Sequence, residues 1–141
     1  MEVLSEDKAS RLGIEVTDND FVEYPSLMLS ITVADEGFCR AYSSAWVALS
    51  QYEAFVADLS RCEQARQGEA RIASFSPGEL EIAVESSDSL GHFSLSYRLG
   101  RTSYTSRGVQ NKTVTGGFDL DVEYFAQIVS DFAGLLPASG I

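Results

Sequence analysis

The stretch that decides the fold runs over residues 80–100 and reads LEIAVESSDSLGHFSLSYRLG. Large apolar residues occupy every second position from Leu80 to Val84 and again from Phe93 to Leu99, on either side of a serine-rich centre. Strict alternation is typical of a strand with one face buried and the other in water. Two such runs around a short polar loop predict an antiparallel hairpin, which indicates an antiparallel sheet.

The hairpin contains the single histidine of the chain, His92, close to several carboxylates. The expected register pairs Glu85 with His92, Glu79 with Arg98 and Ile82 with Leu95. Opposite charges then meet on the polar face of the hairpin, and apolar residues meet on the other face. A general base needs a partner and a pocket, and the sequence indicates neither. We therefore interpret these residues as a solvated strand face and predict no catalytic residue.

Further strands and turns follow from the same alternation. It predicts strands at 12–16, 27–33, 70–74 and 114–120, and turns at 18–20, 35–37, 77–78 and 107–112. A return strand follows residue 37, and its pattern leaves the inward face open. The residues that face inward are either Phe38, Arg40 and Tyr42 or Cys39, Ala41 and Ser43.

Two segments change to a helical spacing of apolar residues. In the first, an apolar stripe runs from Tyr52 to Cys62, and SQYE at residues 50–53 predicts a capping box at the helix start. In the second, Asp121 is the expected cap, and Pro137 ends the helix.

The predicted order of elements is β-β-β-α-β-β-β-β-α. Because hairpins dominate this order, we expect an α+β fold with one antiparallel, meander-like sheet of about six or seven strands and two helices packed on one face. The 141 residues suit a single domain over 1–141. We expect residues 1–10 to be loosely ordered.

The chain is strongly acidic, with 21 acidic and ten basic residues and a net charge of −11. Such a charge repels nucleic acids and membrane surfaces and attracts a basic protein partner. No signal peptide or membrane span is visible, so the cytoplasm is the expected compartment. Cys39 and Cys62 lack the spacing of a metal or redox motif, and we expect free thiols, no metal and no cofactor.

The acidic residues concentrate in the first quarter of the chain, where residues 1–36 have a net charge of −7, whereas residues 89–118 have a net charge of +4. These segments either neutralise each other, stay solvated, or leave an acidic face for a basic partner. The candidate partner-binding residues are Asp18, Asp20, Glu23, Asp35 and Glu36, followed by Glu79, Glu81 and Glu85. Trp46 is a candidate anchor if no helix covers its strand face.

Two stretches resemble a family of small bacterial proteins that includes the WapI-type immunity proteins. They are GEARIASFSPGELEIAVESSDSLGHFSLSYRLG at 68–100 and FDLDVEYFAQIVSDF at 118–132. The resemblance extends over about residues 27–135. The residues that carry it are Phe55, Leu59, Pro77, Asp88, Leu90, Gly91, His92, Phe118, Asp121, Tyr124 and Phe125.

The resemblance implies an antitoxin role and transfers no catalytic residue. With the acidic charge, it predicts a non-catalytic bacterial immunity protein that neutralises a toxin domain through an acidic surface, and a nuclease is one class of toxin that fits. The alternative is a regulatory module that binds a small ligand or another protein. A hydrolase that uses His92 with a carboxylate ranks last. The oligomeric state is left open by the sequence.

Overall fold

The computed structural model describes residues 1–137, which form eight strands, one 3-10 turn and two helices. The strands are β1 (Glu2–Leu4), β2 (Ser10–Asp20), β3 (Ser26–Asp35), β4 (Cys39–Ala48), β5 (Glu69–Ala73), β6 (Leu80–Ser86), β7 (Phe93–Thr105) and β8 (Gly108–Asp119). The helices are α1 (Leu49–Ala65) and α2 (Phe125–Gly134), and the 3-10 turn Val122–Tyr124 leads into α2.

The strands form two antiparallel sheets of four strands each, in the orders β1-β2-β3-β4 and β5-β6-β7-β8. The predicted α+β antiparallel class is confirmed, but the single meander of six or seven strands is wrong. The chain leaves the first sheet through α1, and β5 then pairs with β6 and not with β4. The sheets meet at a bridge between Ser5 and Leu120 and at a hydrogen bond of 3.0 Å from the Phe75 N–H to the Trp46 carbonyl.

One apolar core joins the inner faces of both sheets and both helices. The rings of Phe93 and Phe125 stack with their centroids 4.6 Å apart, which joins β7 to α2. The hydroxyl of the buried Tyr52 donates to the Phe132 carbonyl oxygen at 2.7 Å, which joins α1 to α2. Full burial of an aromatic or aliphatic side chain contributes about 1.5–3 kcal/mol, so these contacts hold the helices to the sheets.

The N-terminal segment, for which the sequence predicts loose order, contains strand β1 in the structure. Val3 is fully buried, and β1 pairs with β2 from Glu2 to Leu4. The terminal amino group of Met1 donates to the Ile14 carbonyl oxygen at 3.0 Å. A strand of three residues is too short for an alternating sequence pattern to indicate it.

The capping box predicted for α1 is wrong. The cap residue is Ala48, no side chain caps the helix, and the Leu49 N–H donates to the Pro25 carbonyl oxygen at 2.9 Å. The strand β4 continues directly into the helix, so Ser50 lies within the first turn, and a neighbouring loop satisfies the first of the free N–H groups at the helix start. The cap predicted for the last helix belongs instead to the 3-10 turn before it, where Asp121 accepts from the Glu123 N–H at 3.0 Å, whereas α2 begins after Tyr124 without a side-chain cap.

The hairpin of β6 and β7 forms in a register two residues away from the expected one. Glu81, not Glu79, lies opposite Arg98, and Ile82 lies opposite Tyr97. The polar and apolar faces are as predicted, since a slip of two residues leaves every side chain on its own face. His92 lies in the loop, where its carbonyl oxygen accepts from the Ser87 N–H at 2.9 Å.

Two predicted turns are strand. Residues 18–20 continue β2 after an irregularity in pairing between Val16 and Asp18, and residues 108–112 belong to β8. The sequence left open which residues of β4 face inward. In the structure Cys39, Ala41 and Ser43 lie on the less exposed side of this strand. Both cysteines are free, with Cys62 buried and Cys39 half-buried.

Candidate functional site

The eight predicted partner-binding carboxylates lie in three separate places. Asp18, Asp20 and Glu23 lie at the end of β2 and in the loop before β3, and Asp35 and Glu36 lie at the far end of β3. Since β3 has ten residues and a strand rises about 3.3 Å per residue, these two groups are about 30 Å apart. Glu79, Glu81 and Glu85 belong to the second sheet or its turn.

We call the first group, together with Val22, Tyr24 and Phe75, the acidic-aromatic end. Its loop is fixed by local hydrogen bonds. Asp18 accepts from the Asn19 N–H at 2.8 Å, and Asp20 accepts from the Val22 N–H at 3.0 Å. The three carboxylates of this end take part in none of the ion pairs found within residues 1–137.

The acidic-aromatic end also exposes three large apolar side chains. Val22 is 92% exposed, Tyr24 63% and Phe75 47%, and the rings of Tyr24 and Phe75 meet edge to face with centroids 5.3 Å apart. The loop is anchored on both sides of these residues, because Phe21 packs against the core and the Pro25 carbonyl binds the start of α1. Aromatic residues held on a fixed backbone with charges around them are typical of a protein-binding surface.

Trp46 lies beside this end. The register places Asp18 opposite Met28 and Met28 opposite Trp46, so the three side chains share the outer face of the first sheet. Trp46 is half-buried there. Trp46 therefore stays a candidate anchor for a partner on this outer face.

In the second group, Asp35 lines an acidic depression of about 480 Å³ where the two sheets meet, together with Glu6, Asp7 and Asp119. Glu36 lines a separate depression that also includes Asp35. Asp35 accepts from the Ser10 hydroxyl at 2.6 Å. The Ser5 hydroxyl and the Ala9 N–H donate to Asp7 and lower the pKa of its carboxyl group. Sequence reasoning counted Glu6 and Asp7 as charges without selecting them, and it missed Asp119, which only the Ser5–Leu120 bridge brings here.

The third group is partly neutralised by arginines. Arg71 contacts Glu81 at 3.2 Å and Glu69 at 3.0 Å, and these carboxylates raise the pKa of its guanidinium, with the hydrogen bond to Glu69 as the largest cause. Arg98 lies opposite Glu81 on the same face. Glu85 is exposed, but Glu81 is a weaker candidate for binding a cation because its charge already has a partner.

His92 forms an exposed pair with Asp88, with Nδ1 and Oδ2 2.5 Å apart. The hydrogen bond with Asp88 and the charge of that carboxylate raise the pKa of His92, and the same hydrogen bond lowers the pKa of Asp88. Asp88 also accepts from the Leu90 N–H at 2.7 Å. The pair therefore organises the loop between β6 and β7, which agrees with the structural interpretation of His92.

Two further features of the part that the structure describes bear on function. Across residues 1–137, no three histidine, cysteine or acidic side chains come together in a way that could bind a metal ion. No helix in the same range has the length and apolar character needed to span a membrane.

Comparison with known proteins yields one family. The model of the immunity protein WapI-like family matches residues 3–138. This range contains both sheets and both helices, and it exceeds the stretch of about 27–135 over which the sequence motifs show the resemblance. No curated protein and no solved structure is significantly similar to the chain.

Proposed function

The chain belongs to the WapI-like immunity protein family, and on this premise we propose that it is a bacterial immunity protein that binds and neutralises a toxin domain. The family match over residues 3–138 is the observation that carries the proposal. The protein acts as a single domain in the cytoplasm and catalyses no reaction. It inhibits by occupying a surface that the toxin needs.

The acidic-aromatic end is the proposed centre of the toxin-binding surface. A stable interface buries a small number of aromatic or apolar anchors and surrounds them with polar and charged groups. Val22, Tyr24 and Phe75 supply exposed apolar area, and Asp18, Asp20 and Glu23 supply negative charge around it. The loop needs little reorganisation on binding because its own hydrogen bonds already hold it, which reduces the entropic cost of association.

The proposed toxin domain has a basic surface, and a nuclease fits this requirement. A nuclease must bind phosphate groups, so its substrate site carries positive charge. The net charge of −11 attracts such a surface at long range and speeds the encounter. Asp35, Glu36 and the acidic depression add to this attraction even though they lie far from the acidic-aromatic end.

The alternative is a module that binds a small ligand. A depression of about 940 Å³ lies on the outer face of the first sheet, and its lining includes Ser30, Thr32 and Tyr42. Hydroxyl groups of Thr17, Ser30 and Tyr42 interact on this face. Nothing in this arrangement selects a ligand class, so the immunity function is the better supported proposal.

A binding experiment tests the proposal. The toxin domain encoded nearest to the gene is purified and titrated with the protein in a calorimeter at 50 mM and 300 mM salt. We expect a one-to-one complex whose affinity falls as salt rises, because salt screens interactions between exposed charges. Absence of a complex at low salt would argue against the proposed function, and stabilisation by a small molecule with no dependence on salt would favour the alternative.

A further inference from the structure

The hairpin of β7 and β8 extends beyond the rest of the second sheet. The pairing of β6 with β7 ends at Leu99, whereas β7 and β8 remain paired as far as Thr105 and Gly108. We call residues 100–113 the arm. Almost all of its residues are exposed, including Tyr104 at 82% and Val109 at 58%. Apart from its base, where the Gly100 N–H donates to the Glu79 carbonyl oxygen, the arm therefore presents two largely exposed strands.

One edge of the arm is open for strand pairing. Within residues 1–137, β8 is the last strand of its sheet and pairs along its length with β7 alone. Backbone groups of an antiparallel strand point alternately toward the partner and away from it. The Leu120 N–H donates to Phe93 and the Asp119 carbonyl accepts from Glu6, which sets the phase of this alternation. The outward-pointing N–H groups are then those of Val109, Asn111, Thr113, Thr115 and Gly117.

The edge has few of the features that usually prevent edge-to-edge association. Proteins protect such edges with proline, bulges, charged side chains or very short strands. The strand β8 has 12 residues, contains no proline, and keeps an unbroken register with β7. Lys112 is its only charged residue before Asp119.

The charge of the arm selects the kind of strand that can pair with it. The arm carries Arg101, Arg107 and Lys112 and no acidic residue, in a chain whose net charge is −11. Arg101 lies directly opposite Lys112, and like charges in this position destabilise a sheet. Arg40 joins these two residues around a recess of about 240 Å³ whose lining contains no carboxylate. A partner strand with acidic residues would relieve this repulsion.

A second copy of the chain is a poor occupant. Two antiparallel copies of β8 would bring two sets of the same cationic side chains together without any carboxylate from either arm. An acidic strand from another protein has the opposite charge and needs only an extended backbone. Double-stranded nucleic acid presents no strand backbone that could bind the outward N–H groups.

We propose that β8 accepts an extended, carboxylate-bearing segment of the toxin domain as an additional strand. This inference rests on the proposed immunity function and assigns a second contact to the same partner. Main-chain hydrogen bonds along the open edge supply affinity, and the cations of the arm select the acidic segment. The toxin would then contact the protein through a basic surface at the acidic-aromatic end and through an acidic strand at the arm.

A proline substitution tests hydrogen bonding at the open edge without disturbing the pairing of β8 with β7. Thr113→Pro removes an N–H group that points away from β7, and proline is tolerated at such an edge position. Thr113→Ala removes the same side chain but keeps the N–H group, so it is the matched control. Lys112→Glu tests the charge, and Arg61→Glu makes the same charge change on α1. Circular dichroism and thermal unfolding establish that each variant is folded.

Calorimetry with the neighbouring toxin domain and hydrogen exchange of the complex give the readout. We expect Thr113→Pro to weaken binding about tenfold and Lys112→Glu to weaken it about fivefold, while both controls stay within about twofold. The amides of Asn111, Thr113 and Thr115 should exchange slowly only in the complex.

Three results would overturn the inference. Binding of Thr113→Pro with wild-type affinity, and fast exchange of the β8 edge amides in the complex, would reject the added strand but leave the immunity function standing. Slow exchange of these amides in the free protein, together with a dimer in sedimentation, would show that a second copy fills the edge. Failure of the wild-type protein to bind the toxin domain would reject the proposed function and this inference with it.

Discussion

Neutralising the acidic-aromatic end is the perturbation that separates a local binding surface from the general effect of net charge. The variant combines Asp18→Asn, Asp20→Asn and Glu23→Gln. The amide oxygen of asparagine can still accept the hydrogen bonds that Asp18 and Asp20 accept from the backbone of the loop. The loop should therefore keep its shape while three negative charges disappear.

The expected loss of affinity follows from the exposure of these groups. All three carboxylates are exposed, and an exposed ion pair contributes a factor of about 1.4 to 5 to an equilibrium constant. Three such contacts predict an increase in Kd of about 3- to 125-fold for the toxin domain. The increase should be larger at low salt, and the association rate should fall more than the dissociation rate rises.

A control variant has the same net charge as the neutralised loop variant, because it carries three equivalent changes on the helical segments: Glu53→Gln, Glu63→Gln and Glu123→Gln. Surface plasmon resonance at two salt concentrations compares it with the neutralised loop. We expect the control to bind within about twofold of the wild-type protein at moderate salt. Equal losses in the two variants would refute the local surface, because only the total charge would then matter.

Three further predictions concern the scaffold. The pKa of His92 should lie above its usual value of 6.5 in a nuclear magnetic resonance titration and should fall in Asp88→Asn. The stabilisation from this pair should be present below about pH 6.5 and lost as pH rises through the pKa of folded His92. In Tyr52→Phe the loss of the hydrogen bond to Phe132 should lower the free energy of unfolding in urea by only about 1 kcal/mol. The loss is small because the Phe132 carbonyl oxygen still accepts from the Leu135 N–H at 3.3 Å. Gly100→Ala should lower it by about 3 kcal/mol, since a Cβ atom there would lie 1.9 Å from a backbone oxygen of the turn before β6, and wild-type stability would contradict that close approach.

Local periodicity was sufficient to predict most of the elements. The alternation around Ile82 and Leu95 and the helical stripe from Tyr52 to Cys62 correspond to β6, β7 and α1. Burial of one face imposes these patterns, so they appear in the sequence itself. The same period could not determine the register of β6 and β7, because a shift of two residues keeps every side chain on its face.

The division of the strands between two sheets could not be predicted from local sequence patterns. Hairpins place neighbours along the chain side by side, but nothing local decides whether β5 continues the first sheet after α1 or begins a second one. The bridge from Ser5 to Leu120 is one contact between residues far apart in the chain. It brings Asp119 to the acidic depression, which explains why this residue was not selected.

The separation of the predicted acidic residues had a signal in the sequence. Residues 18–23 come before strand β3 and residues 35–36 lie at its end, and the two ends of a strand lie at opposite edges of the sheet along the strand direction. Asp20 and Asp35 therefore could not share one small surface once β3 was predicted. The exposed partners of the acidic loop, Tyr24 and Phe75, come from different sheets or their turns, and only the structure brings them together.

Growth of bacteria that produce the neighbouring toxin domain tests the central claim most directly. The wild-type protein and the variant with Glu53→Gln, Glu63→Gln and Glu123→Gln should both restore growth when produced at equal levels. The variant with Asp18→Asn, Asp20→Asn and Glu23→Gln should restore it poorly. Continued arrest of growth with abundant, folded wild-type protein would contradict the account.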